Sequence, residues 1–141
     1  MTKEQAYNKF VKLYDIEVPE ERVQEMYEYF LLQAKHNMQY DTMINGNVHL
    51  HKREELEAME PEMREAAYME AKSDLVMKEL LKKLDPEVTE EDLQKKAEEI
   101  MRKDNTPLDL LHRFFGKDLA GLKRGVQEDK VKEYILEQLS D

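Results

Sequence analysis

Apolar residues recur along this chain at the three- and four-residue spacing that places them on one side of a helix. Thr2 followed by Gln5 forms a capping-box pair, and it opens a first helix reaching about residue 14 with Ala6, Phe10, Leu13 and Tyr14 on one side. The stretch DIEVPEERVQEMYEYF then interrupts the chain with a Val-Pro-Glu step. Proline fixes φ, lacks an N–H and disfavours α geometry at Val18 before it, so Pro19 reads as a restart. The acidic pair Glu20 and Glu21 suits the positive end of the new helix's dipole.

The second helix is predicted over 20–43, with Val23, Met26, Tyr27, Phe30, Leu31, Ala34 and Met38 at helical spacing. Tyr29 and Leu32 fall off that stripe, so the helix is apolar on more than one side. Asn45-Gly46-Asn47 is the turn that stops it. A turn and a short helix over about 53–59 follow, and Pro61 is read as a second restart. A long helix over 62–84 carries Ala66, Met69, Ser73, Val76, Met77, Leu80 and Leu84 on one stripe, and Tyr68, Ala71 and Leu75 on another.

Asp85-Pro86 ends that helix, and Thr89 with Asp92 makes an acidic capping box for the next, over 90–103, packed through Leu93, Ala97, Ile100 and Met101. Thr106-Pro107 reads as a cap followed by a first-position proline, opening LDLLHRFF, which Gly116 closes. The last helix is predicted over 118–139. Each helix carries its own boundary signals, and the fold class is all-α: one elongated multi-helix domain, 1–141, with protruding helical arms.

Composition sharpens this picture. Four glycines and four prolines in 141 residues leave little room for a turn-rich β fold. Charged residues are 38% of the chain and the mean hydropathy is −0.84, so much of the helical surface must face water. Long helices exposed on several sides fit that balance better than a tight sphere. With 22 basic against 32 acidic residues the net charge is −10, which argues against nucleic acid as a partner, since phosphate binding draws on clustered Lys and Arg. No apolar run approaches the roughly 18 residues of a membrane span, so no membrane partner is expected. MTKEQAYNKF lacks the apolar core of a signal peptide, and with Met1 as the natural start the expected location is cytoplasmic.

Candidate chemistry is sparse. Cysteine is absent, Ser73 and Ser140 are the serines, and there is no nucleophile elbow and no phosphate-cradling glycine loop. No enzymatic activity and no cofactor are expected. His49-Leu50-His51 would bring two imidazoles to a metal only if extended, and no supporting ligand spacing accompanies them, so both are read as surface histidines. Gly121 and Gly125 form a small-xxx-small pair, read as permitting close helix packing.

The informative excess is methionine, nine residues, joined by seven tyrosines and four phenylalanines. Methionine is flexible and polarizable, which suits surfaces that accept varied apolar partners. Met26, Phe30, Met38, Tyr40 and Met43 crowd the second helix and its end, and Phe114 and Phe115 form an adjacent pair. These seven are the candidate substrate-binding residues. Two-sided apolar helices outnumber the neighbours available to cover them, so part of this surface is expected to stay open.

The order of the pieces resembles the C-terminal, substrate-binding domain of trigger factor, the bacterial ribosome-associated chaperone. DIEVPEERVQEMYEYF resembles the step into the family's long arm helix, and PEMREAAYMEAKSDLVMKELLKKLDPEVTEEDL its next long helix and the cap that follows. LKRGVQEDKVKEYILEQ is similar to its closing helix, with Lys130, Tyr134, Ile135 and Leu136 where the family pattern has a lysine and then an aromatic-aliphatic run. The segment NGNVHLHKREELEAME departs from the pattern.

The resemblance implies a helical body whose arms cradle unfolded or partly folded polypeptide without ATP. The partners are then non-native polypeptide clients, and exposed arms also allow a weak homodimer. No counterpart of the family's ribosome-docking or peptidyl-prolyl isomerase domain is found here, so neither activity is carried over. Two other functions compete with this one. One is an adaptor or assembly factor that uses the same arms for a single folded partner. The other is an enzyme with its site around His49 and His51.

Overall fold

The computed structural model describes residues 1–140, in which six α-helices and one 3₁₀ turn follow one another without a strand. They are α1 (Lys3–Leu13), α2 (Glu20–Asn45), α3 (Lys52–Leu84), α4 (Glu90–Asp104), α5 (Leu108–Phe115), the 3₁₀ turn Ala120–Leu122, and α6 (Lys123–Ser140). Contacts group them into two compact units: Val11–Val76, and Met1–Phe10 together with the described residues from Met77 onward.

Val11–Val76 is built on a hairpin of α2 and α3. Tyr27 and Ala34 of α2 meet Met63 and Ala67 of α3 in a buried cluster, with Val23, Met26, Phe30, Leu31 and Leu56 packed against it. Arg64 lies 4.1 Å above the Tyr27 ring and Asp41 is bridged to the first turn of α3, so the two helices run antiparallel. The Val-Pro-Glu step does what its sequence implies. Pro19 occupies the N-cap of α2 at φ −59°, and its carbonyl accepts from the N–H of Arg22 and Val23. At the other side of the step, Lys72, a largely buried residue, donates through its ammonium to the Lys12 carbonyl (3.4 Å), a cation at the negative end of α1.

Pro61 does not restart the chain. α3 is continuous from Lys52 to Leu84 with Pro61 inside it. Leu56 and Met63, seven residues apart and so on one face, both pack on α2, and this shared contact holds the helix through the lost hydrogen bond. The same register moves the buried face of α3. Met63, Ala67 and Ala71 are buried, whereas the predicted stripe members Ala66 and Met69 are exposed and half-buried.

The other unit surrounds a cluster of Ala97, Leu111, Leu119 and Leu122, flanked by Leu93, Ile100, Met101 and Phe115. Both predicted capping boxes form: Thr2 with Gln5, and Thr89 with Asp92. Lys130 of α6 donates to Asp92 Oδ2 at 2.7 Å. This ammonium, with the Thr89 N–H, holds the Asp92 carboxyl down at about 2. Asp129 is bracketed by Lys96 (2.8 Å) and Lys3 (3.5 Å), tying α6 to α4 and α1.

Two boundaries differ from expectation. Thr106 does not cap α5; Pro107 itself is the N-cap, and the Thr106 hydroxyl turns to the Asp104 carbonyl (3.5 Å). The last helix begins at Lys123 rather than at residue 118. Leu119 adopts φ +60°, and Asp118 Oδ1 accepts from the Ala120 N–H, so the chain turns before the helix starts. A left-handed leucine costs about 1–2 kcal/mol, and it is held here because the side chain is 1% exposed within the cluster.

The two glycines of the small-xxx-small pair behave differently. A Cβ on Gly121 would stand 2.9 Å from the Phe115 Cα, whereas on Gly125 it would meet only Lys96 Cε at 3.9 Å. Gly121→Ala is therefore expected to destabilise by about 1–3 kcal/mol through overpacking against backbone. Gly125→Ala, in the first turn of α6, is expected to stabilise by up to about 1 kcal/mol through the better helix propensity of alanine. Paired urea melts give opposite signs if Gly121 alone marks the close approach.

Candidate functional site

α2 is long and two-sided, and α3 covers one of its faces. Either side of their seam an open groove remains. One, of ≈ 560 Å³, is lined by the apolar Tyr27, Leu31, Met38 and Leu56 together with the charged Lys35, Lys52, Arg53, Glu57 and Glu60. The other, of ≈ 670 Å³, is lined by Phe30, Ala34, Met38, Tyr40, Met59 and Met63, and reaches Asp41 and His49 near the hairpin tip. Phe30 also lines two shallower hollows beside it, one with Met26 and Tyr29, the other with Met59 and Ala66. Both grooves are open and concave with apolar side chains along them, the setting in which a partly buried aromatic or thioether side chain gains most from being covered.

The candidate residues divide between the two units. In the hairpin unit, Met26, Phe30 and Met38 are half-buried along the grooves, while Tyr40 is 63% and Met43 78% exposed toward the tip. In the other unit, Phe114 is 75% exposed and Phe115 is half-buried against the α4–α5 cluster, so these adjacent rings face different environments. Sequence periodicity passed over the tip itself. Ile44, Val48 and Leu50 are all more than half exposed there, around a turn closed by Gly46 at φ +72°. Their one signal was apolar residues standing outside any helical stripe.

The tip is organised by Asp41. The Asn45 and Asn47 side-chain amides donate to Asp41 Oδ1 at 2.9 and 3.0 Å, and the Gly46 N–H donates to its carbonyl. His49 sits between two carboxylates, Nε2 to Asp41 Oδ2 at 2.8 Å and Nδ1 to Glu55 Oε2 at 3.1 Å. The three amide and imidazole donors hold the Asp41 carboxyl down at about 2, and the two carboxylates raise His49 above the ordinary imidazole value. Both ring nitrogens are thus engaged, and His51 projects outward beside Glu54, so the two histidines do not converge. Among the described residues no group of three or more His, Cys, Asp or Glu side chains is placed to hold a metal ion. Nor is any described helix long and apolar enough to cross a membrane.

Helices throughout, with a hairpin that leaves apolar grooves open, define an all-α protein equipped for binding. The sequence matches the family described as bacterial trigger factor protein (TF) C-terminus over residues 1–137, and the chain belongs to that family. The match runs through residues 45–60, the segment whose sequence departs from the pattern. The family points to a chaperone-type, substrate-binding module. Neither a curated protein nor a solved structure matches the chain.

Proposed function

We propose that this chain binds unfolded or partly folded polypeptide, without ATP, through the apolar surface of the α2–α3 hairpin. The observation that supports it is the pair of open grooves meeting at Met38, with Phe30 the common aromatic of the second and its neighbouring hollows. Covering one Phe, Leu or Met side chain contributes roughly 1.5–3 kcal/mol, and micromolar affinity needs about 8 kcal/mol net. After the cost of ordering a client, a handful of such contacts gives weak, reversible capture, the regime of a holding chaperone. Met26, Phe30, Met38, Tyr40 and Met43 form the main contact surface in this proposal. Phe114 adds an exposed contact in the other unit, with Phe115 beneath it anchoring the helix.

A denatured, aggregation-prone protein diluted into buffer tests this directly. Light scattering is expected to fall when the chain is present in excess, with no nucleotide added. Phe30→Ser with Met38→Ser should weaken the effect several-fold while far-UV circular dichroism is unchanged, since neither side chain is fully buried. Undiminished aggregation at molar excess defeats the proposal, and saturable binding to a single folded protein would instead indicate a dedicated adaptor.

A further inference from the structure

The hairpin tip carries a feature that packing does not require. An imidazole bridges Asp41, in the last turns of α2, and Glu55, in the first turn of α3, with one nitrogen on each carboxylate. A neutral imidazole has one N–H and one lone pair, so it can donate to only one of them. The other nitrogen would then face a carboxylate oxygen lone pair to lone pair. This geometry is satisfied only by the imidazolium. The groups facing the ring are Asp41 from α2 and Glu55 from α3, while Asn45 and Asn47 complete the shell of Asp41. No cation is paired to either carboxylate among the described residues, so loss of the His49 proton leaves the two carboxylates without a bridging charge.

We infer that His49 is a protonation-dependent clasp that fastens the end of the second groove, so that the grip of the hairpin on a client weakens as His49 loses its proton. This rests on the binding proposed above for the same groove, of which Asp41 and His49 form the tip-end wall. The sign follows from linkage. His49 is raised above 6.5, so its clasping contribution is complete below about 6.5 and is lost as pH rises through the raised value. Asp41, held at about 2 against an ordinary 3.8, keeps its charge throughout that range, and its contribution fails only as pH falls from 3.8 toward 2. The clasp is therefore closed below about 6.5 and released once pH passes the raised His49 value. Release unlinks the turn from the first turn of α3 at Glu55, while Asn45, Asn47 and Gly46 still hold it to Asp41.

Two readouts on the intact chain test the clasp separately from binding. An imidazole-resolved NMR titration should place His49 above 6.5, and Asp41→Asn should move it back down. Each unit of elevation corresponds to about a tenfold weakening of clasp closure between low and high pH. Protection of the 41–52 amides against hydrogen exchange, referred to unfolded-chain rates, should fall by that factor from about pH 5.5 to a pH above the His49 value that the titration gives in the native chain, and stay level in His49→Gln. A fluorescent apolar peptide should change affinity over the same interval only when His49 is present. His49 titrating at or below 6.5, or tip protection and affinity independent of pH, overturns the clasp. A peptide that binds at neither pH, with His49 elevated, defeats the binding proposal and with it the clasp's control of clients.

Discussion

Pro61→Ala is expected to raise the unfolding free energy by about 2–3 kcal/mol. Proline inside a helix removes one i to i−4 hydrogen bond and crowds the carbonyl four residues back, costing about 3 kcal/mol relative to alanine. Pro61 sits nine residues beyond the start of α3, where its N–H would have met the Glu57 carbonyl, and its own side chain is exposed, so alanine gives up no packing. Urea unfolding followed by far-UV circular dichroism measures the gain. An unchanged or lower midpoint would place Pro61 at the first turn of a separate helix, where proline is favoured, and would sink the continuous α3. A gain with unaltered suppression of aggregation would show that the proline is not needed for binding.

Leu119→Ala should cost about 2–5 kcal/mol, the range for truncating a buried leucine. The residue is essentially inaccessible among Ala97, Leu111 and Leu122, yet holds a left-handed backbone. Those two facts oppose each other, and Leu119→Gly separates them. Glycine loses the same packing and a little more, but relieves about 1 kcal/mol or more of backbone strain, so it should be no worse than alanine. At an ordinary helical position glycine would be worse by about 1 kcal/mol. Melts of the two variants decide it: glycine below alanine would mean that residue 119 is simply the first turn of α6.

Several elements were legible without coordinates because their causes are local. Thr2/Gln5 and Thr89/Asp92 cap their helices wherever the rest of the chain goes, since each bond closes within three residues. The Val-Pro-Glu step and Gly116 stop or start helices through φ and a missing N–H. Period alone sets Tyr27 and Ala34, the buried residues of α2, among the seven members of its apolar stripe, and sets the exposed Tyr29 and Leu32 off it. The sequence by itself thus determined an all-α chain, its family and most of its helix boundaries. Only tertiary structure decided that Pro61 is carried through α3, that Leu119 turns backwards into a core, and that Phe114 and Phe115 part company. It alone brought His49 between Asp41 and Glu55. Each of these is fixed by a neighbour distant in sequence or by a turn that period cannot describe, and a local cost of a few kcal/mol is outweighed by burial or by charge brought within hydrogen-bond reach.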